Sequence, residues 1–297
     1  MAPQVAVLTN IRLEHTATFG KLEDIAEGES EIFSSLKKGG VAVLPREDPF
    51  FELLKKKIPR DRDIRIKSFG FSQDASVHAR DLSSWPGPTK FTVVHQDEKG
   101  NVIDQIRCTL PALGRFNVLN ACASAAACLS LRVPVEKIKE GLENFKPPSM
   151  RFEVVSLEDG IVIVNDSYNA NPGSMKSALE GFVESFPNRR LCVVLSDMLE
   201  LGEISRLEHQ ALGMFLAGFP LSKVILYGPQ SRFTWEGAKS SFLDEKTLCY
   251  CPDRDSLLKK IRSALEPGTA VLFKGSRGMH LEEIIQEFTE KTSLSKK

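Results

Sequence analysis

Apolar residues along this chain cluster into short runs separated by polar, glycine and proline punctuation, and the spacing of the runs predicts two kinds of organisation. In the first half, Val5 to Thr9 forms an apolar run that ends at Asn10, which predicts a buried strand delivering a loop. Leu22, Ile25, Ala26, Ile32, Phe33 and Leu36 recur at helical spacing, and Gly39-Gly40 closes that segment as a C-cap would. Val41 to Leu44 is a second buried strand. Short stretches follow over Ile64 to Phe71, Val77 to Leu82, Phe91 to His95 and Val102 to Leu110, with turns at Pro86-Gly87-Pro88 and Lys99-Gly100-Asn101; they predict a small antiparallel patch. Asn117 to Leu131 is alanine-rich and helical, and Val135 to Phe145 is a second helix started by Pro134.

Pro147-Pro148-Ser149 then interrupts the pattern, and a domain boundary is expected there, between residues 1–147 and 148–297. Beyond it, strand and helix alternate. The strands are Ile161 to Asn165, Leu191 to Leu195, Val224 to Tyr227 and Ala270 to Phe273; the helices are Ser174 to Phe186, Ser205 to Leu216, Ser256 to Leu265 and Leu281 to Thr289. Continuous apolar strands between helices predict a parallel sheet covered on both faces, with function at the C-terminal strand ends.

Composition narrows the partner. Thirty-nine basic residues balance 39 acidic ones, which removes the electrostatic footprint of a nucleic-acid binder and points to a small-molecule ligand. No apolar run approaches the roughly 20 residues of a membrane helix, so no membrane insertion is expected. The start of the chain carries no basic leader, and a cytoplasmic location is expected. Six cysteines lack the paired spacing of a zinc site and read as reduced core residues.

Chemistry concentrates where strands end. Residues 165 to 172, NDSYNANP, set Asp166, Tyr168, Asn169 and Asn171 ahead of a proline-started helix. An Asx turn with an N-cap accounts for one or two of them, but not for a tyrosine, so a binding site is the better reading. Residues 193 to 203, VVLSDMLELGE, end a second strand. Residues 271 to 278, VLFKGSRG, bring Lys274, Ser276 and Arg277 around Gly275, which suits a carboxylate or phosphate; the alternative is a solvated basic turn. In the first half, NIRLEHTATFG (10 to 20) offers Glu14 and His15 as metal ligands, or a surface loop. LGRFNVLNACASAAA (113 to 127) sets Asn117 and Asn120 one turn apart, to read a nucleobase edge or to cap the helix.

Taken in order, NIRLEHTATFG, IAEGESEIF, LGRFNVLNACASAAA, MRFEVV, NDSYNANPGSM, DMLELGE and FKGSRGM resemble the Mur ligases across nearly the whole chain, and the DSYNANP and KGSR forms resemble the member that adds D-alanyl-D-alanine. The resemblance implies a partial central ATPase-type mixed-sheet domain followed by a Rossmann-like parallel α/β domain. It also implies ATP and Mg2+ as cofactors, with a UDP-N-acetylmuramoyl tripeptide and D-alanyl-D-alanine as substrates. By the same resemblance, His15 and Glu29 hold the metal, while Asn10, Asn117, Asn120, Arg151 and Asp166 bind the nucleotide. Tyr168, Asn169, Asn171, Lys274, Ser276 and Arg277 bind substrate, and Arg151 and Lys274 act in catalysis.

The family's glycine-rich phosphate loop is not found, since no G-x-x-x-x-G-K-[ST] occurs in the 297 residues. A complementing N-terminal segment carrying that loop and the UDP-sugar site is therefore expected. Glu29 stands where the family has a lysine that can carry a carbamate, Phe116 replaces a histidine, Pro45 a polar residue and Ser196 a glycine. The reading from a different class is a non-catalytic Mur-ligase-like binding or scaffold protein.

Overall fold

The computed structural model describes residues 2–12, 22–83, 87–241, 244 and 246–294. These divide into two compact units, the first ending at Lys146 and the second beginning at Pro147.

The first unit runs β1 (Val5–Val7), α1 (Leu22–Ser30), β2 (Val41–Pro45), α2 (Phe51–Lys57), β3 (Arg65–Gly70), β4 (Val77–Ser83), β5 (Thr89–Gln96), β6 (Val102–Leu110), α3 (Arg115–Ser130) and α4 (Val135–Glu143). Its sheet keeps the order β1-β2-β3-β4-β5-β6. Successive side chains of β2 point to opposite faces, and both faces are covered. Val41 and Val43 join Phe69, Val93 and Ile106 beneath Val118, Cys122 and Ala125 of α3. Ala42 and Leu44 pack with Ile25, Phe33 and Leu54 on the other side. The small residues of α3 let that helix lie close to the sheet.

The antiparallel patch predicted from Ile64 onward is smaller than expected. β3 runs parallel to β2, from Val41 opposite Arg65 to Pro45 opposite Phe69, and meets the start of β4 in parallel as well. Only β4-β5-β6 are antiparallel. Alternation of apolar and polar residues does not encode strand direction. Direction was set by α2, a seven-residue helix that carries the chain back between β2 and β3.

The second unit runs β7 (Glu153–Ser156), β8 (Val162–Asp166), α5 (Pro172–Ser185), β9 (Arg190–Ser196), α6 (Ser205–Leu216), β10 (Lys223–Tyr227), α7 (Ser231–Ser240), β11 (Leu248–Cys251), α8 (Arg254–Ala264), β12 (Thr269–Lys274) and α9 (Leu281–Leu294). The sheet order is β11-β10-β9-β12-β8-β7, parallel except for β7 at the edge. The last strand thus inserts between the second and third, which brings Lys274 level with Asp166 on one side and with Leu195 on the other. Ile163, Val194, Ile225, Val271 and Phe273 form one buried face with α8 and α9. Val164, Val193, Leu195 and Leu272 are buried on the other. Helix α7 and strands β7 and β11 extend the predicted alternation. Among the described residues no helix is long and apolar enough to cross a membrane.

Two contacts fix α6, the helix that follows the end of β9. Gly213 and Gly237 let α6 and α7 approach to backbone contact, for a Cβ at 213 would overlap the Thr234 carbonyl oxygen and one at 237 the Gln210 carbonyl oxygen. Buried His209 accepts a hydrogen bond at Nε2 from the Met198 amide (3.1 Å), while its Nδ1 donates to the Ser205 carbonyl (2.7 Å). It is therefore held as a neutral imidazole with the proton on Nδ1. Burial pulls its pKa below the ordinary histidine value, against the Ser205 hydrogen bond and the charges of Asp197 and Glu208.

Gly237→Ala should destabilise the protein by about 1–3 kcal/mol, the usual cost of overpacking; urea unfolding of the variant measures it. The His209 shift gives a stability that is complete above the unfolded-state value of about 6.5 and declines as pH falls through it, because the unfolded chain takes up the proton first. The urea midpoint should therefore drop between about pH 7.5 and 5.5. His209→Gln, which retains an acceptor for Met198, should flatten that part of the profile.

Candidate active site

Three strand ends meet in the second unit, after β8, β9 and β12, and hydrogen bonds tie their loops together. Lys274 closes β12 with its side chain only 3% exposed; its Nζ donates to Asp166 Oδ2 (2.6 Å) and to the Asn169 carbonyl (3.1 Å). The other carboxylate oxygen of Asp166 accepts from the Phe152 amide (3.0 Å). Burial pushes the Asp166 carboxyl above its usual range, offset in part by Lys274, by the Phe152 amide and by the Arg151 charge. The pair binds β8, β12 and the 150–152 segment into one network.

Ser276 is also buried. Its amide donates to the Asp197 carbonyl (3.0 Å), and its hydroxyl accepts from the Leu199 amide (2.9 Å) while donating to the Ala170 carbonyl (3.4 Å). One side chain therefore joins all three loops. Asn171 caps α5: its side chain accepts from the Ser174 amide (2.7 Å), and the Ser174 hydroxyl accepts from the Asn171 amide (3.0 Å), with Pro172 in the first turn. The cap weighed for NDSYNANP is thus present at Asn171, and Asn165 serves the turn by accepting from the amide and hydroxyl of Ser167.

The DMLELGE loop contributes residues absent from the predicted site. Asp197 is 2% exposed and accepts from the Gln230 amide (3.0 Å) and from the amide and hydroxyl of Ser231 (both 2.7 Å), which caps the start of α7 from 33 residues away. Ser196 lies directly beneath Gly275, and a Cβ at 275 would collide with its hydroxyl. Gly275 is therefore required for room. The local signal for Asp197 was its place at a strand end, but its partners could not be read from the sequence.

What remains exposed is cationic and aromatic. Tyr168 is 42% exposed, with the Arg151 guanidinium 4.1 Å from its ring centroid and that of Arg277 at 5.5 Å. Asn169 is exposed beside it. Among the described residues neither arginine has a carboxylate within ion-pair distance; Arg277 reaches only the Met150 sulfur (4.0 Å). The backbone holding Arg151 is strained, since Met150 (φ 63°) and Phe152 (φ 54°) on either side are left-handed without being glycine. Hydrogen bonds from Tyr168 to the Met150 carbonyl (3.1 Å), from the Met150 amide to Glu153 (3.0 Å) and from Phe152 to Asp166 hold that conformation. Two guanidiniums on one tyrosine, beside a buried ammonium, form a surface suited to a phosphate or carboxylate.

In the first unit, Asn10 is exposed beyond β1, and the following Ile11 amide donates to Asp48 Oδ2 (3.0 Å), which anchors that loop to the end of β2. Asn117 donates from its amide to the Leu113 carbonyl (2.8 Å) and keeps its side-chain oxygen at the start of α3; Asn120 is exposed one turn on. Glu29 is exposed on α1. Glu14 and His15 lie outside the described residues. Among the described residues no group of three or more His, Cys, Asp or Glu side chains is placed to hold a metal.

Both units match known proteins. Residues 1–128 match the Mur ligase middle domain, and residues 150–277 match the Mur ligase glutamate ligase domain. The chain is 33% identical over 292 residues to the UDP-N-acetylmuramoyl-tripeptide--D-alanyl-D-alanine ligase of Bacillus subtilis, covering 97% of this chain and 60% of that one. MurF from Acinetobacter baumannii superposes with a TM-score of 0.83 at 29% identity, over 97% of this chain and 60% of that structure. The MurF ligase of Thermotoga maritima, solved with ADP, gives 0.81 at 26% identity, over 99% and 63%. The chain thus spans about three fifths of the length of these relatives. With a middle and a C-terminal ligase domain matched in order, and the same fold in the solved structures, this chain belongs to the Mur ligase family.

Proposed function

We propose that the chain is the C-terminal part of an ATP-dependent amide ligase that adds D-alanyl-D-alanine to a UDP-N-acetylmuramoyl tripeptide in peptidoglycan synthesis, in the cytoplasm. The observation that favours this over a scaffold role is the Arg151–Tyr168–Arg277 surface. Among the described residues these two guanidiniums have no carboxylate partner, and the Arg151 backbone is held between two left-handed residues at the C-terminal end of a parallel sheet. They suit a substrate that brings negative charge.

In this reading the tripeptide carboxylate attacks the γ-phosphorus of ATP, giving an acyl phosphate and ADP. The amine of the dipeptide then adds to the acyl carbon, and the tetrahedral intermediate loses phosphate and a proton to leave the amide. Arg151 and Arg277 offset the charge that gathers on the transferred phosphoryl group or on the dipeptide carboxylate. Lys274 adds positive potential from within the fold, where Asp166 fixes it. Tyr168 and Asn169 present a flat face and an amide to substrate, while Ser276 and Asn171 act by holding the loops. Within the first unit, Asn10, Asn117 and Asn120 are assigned to the nucleotide, the last two to its adenine.

Magnesium is held by only one or two protein carboxylates together with phosphates and water. Exposed Glu29 fits that demand, and His15 is proposed as a second ligand. When bound, the ion would neutralise phosphate charge. The phosphate-cradling loop would come from a complementing N-terminal segment.

The purified chain alone should release no phosphate from ATP, because it lacks the G-x-x-x-x-G-K-[ST] cradle. Joined to the N-terminal segment of a Mur ligase, it should release phosphate only when tripeptide and D-alanyl-D-alanine are both present. Turnover that ignores the dipeptide would overturn the substrate assignment. In the joined enzyme, Arg277→Ala should lower kcat/KM by about a hundredfold and leave the urea midpoint unchanged. Lys274→Ala, by contrast, should cost about 3–5 kcal/mol of stability, because Asp166 loses its buried partner.

Glu29→Gln, which keeps shape and removes charge, should raise the magnesium concentration needed for half-maximal rate without changing the KM for ATP. Superimposable magnesium titrations would take Glu29 out of the site.

A further inference from the structure

The sheet of the first unit carries a chain of three titratable groups. On the sheet face that also bears Phe69, Val93 and Ile106, Lys67 of β3 lies 2.8 Å from His95 Nε2 on β5, and His95 Nδ1 lies 3.0 Å from Asp104 Oδ2 on β6. The carboxylate can only accept, so Nδ1 carries the imidazole proton and Nε2 faces the lysine as an acceptor. This is an amine, a base and an orienting carboxylate in sequence, the arrangement by which nucleophiles are activated. The His95 side chain is 13% exposed and that of Asp104, on its far side from the amine, 32%. Lys67 is half-buried and remains reachable from solvent. β4 does not intervene, because its pairing with β3 begins only at Phe69.

We propose that Lys67 is a reactive amine that takes an acyl group from an activated acyl donor, an acyl phosphate or a thioester, with His95 as its base and Asp104 as the residue that positions the imidazole. The lysine nitrogen adds to the acyl carbon, and the proton it sheds passes to His95 Nε2. The carbon–oxygen or carbon–sulfur bond of the leaving group breaks, and the lysine becomes a neutral amide. The imidazolium formed is stabilised by Asp104 and returns its proton to solvent or to the leaving group. The electrostatic setting favours the neutral amine that this step requires. Burial, followed by the charge of Arg65 two residues away, holds Lys67 below the ordinary lysine value against the opposing pull of Asp104. Exposed lysines such as Lys99 and Lys139 have no such relay.

The test is acylation of the full chain by a limiting amount of acetyl phosphate at neutral pH, followed by peptide mass spectrometry over time. Lys67 should be acetylated at least about tenfold faster than Lys99 or Lys139, at the modest end of what a positioned base contributes. Asp104→Asn and His95→Gln should each bring its rate close to that of Lys99, with the urea midpoint checked for both. Asparagine keeps a hydrogen bond to the ring, so Asp104→Asn tests the relay even where His95→Gln perturbs the sheet. A wild-type rate at Lys67 no greater than at Lys99 would overturn the proposal and leave the three groups as a structural network. An unchanged Lys67 rate in Asp104→Asn would overturn the relay.

Discussion

Lys274 carries an ammonium group into the interior at the end of β12, and the geometry of the second unit's candidate site follows from how that charge is satisfied. An unpaired ammonium there would cost several kcal/mol. Asp166, level with it on β8, supplies the counter-charge at 2.6 Å, and the Asn169 carbonyl accepts a second hydrogen bond from the ammonium. Because Asp166 spends its other oxygen on the Phe152 amide, the same carboxylate also anchors the segment that presents Arg151. A buried pair of this kind adds little net stability, but it tolerates few arrangements of its neighbours. The register of β8 against β12 and the path of the loops after them are thereby linked to one electrostatic requirement.

The loop after β12 is then shaped by volume. Gly275 passes over Ser196 with no space for a side chain, and Ser276 reaches into the interior to bond all three strand-end loops. Lysine, glycine and serine at 274 to 276 serve the fold, and only Arg277 turns outward. A single tetrapeptide therefore divides its work between fixing the site and meeting a ligand.

The strand and helix alternation of the second unit was legible because its strands are continuous apolar runs, buried on both faces, and no other reading of Val162–Asp166 or Thr269–Lys274 fits. What escaped was non-local. Helix α7 carries no capping side chain at its own N-terminus, since Asp197 caps it from another loop, so local cap reading misses it. The partner that fixes His209, the Met198 amide, lies in the loop after β9 and is equally non-local. In the first unit, alternation over Ile64 to Leu110 located the strands but could not give their direction. NDSYNANP signalled a site, yet composition alone could not separate Asn171, consumed by a helix cap, from Tyr168, which is free to meet a ligand.

That separation bears on how the exposed surface is maintained. Arg151 and Arg277 share one ring and repel each other, and the left-handed backbone at Met150 and Phe152 costs about 1–3 kcal/mol per residue. Local hydrogen bonds, from the Met150 amide to Glu153 and from the Arg151 amide to the Pro148 carbonyl, offset only part of these terms. The others run into the body of the unit, from the Tyr168 amide to the Met150 carbonyl and from the Phe152 amide to Asp166, whose position in turn depends on Lys274. The cationic surface is thus held in place by a buried ion pair beneath it. An anion placed between the guanidiniums would relieve their repulsion without having to order them first, because the fold has already met that ordering cost.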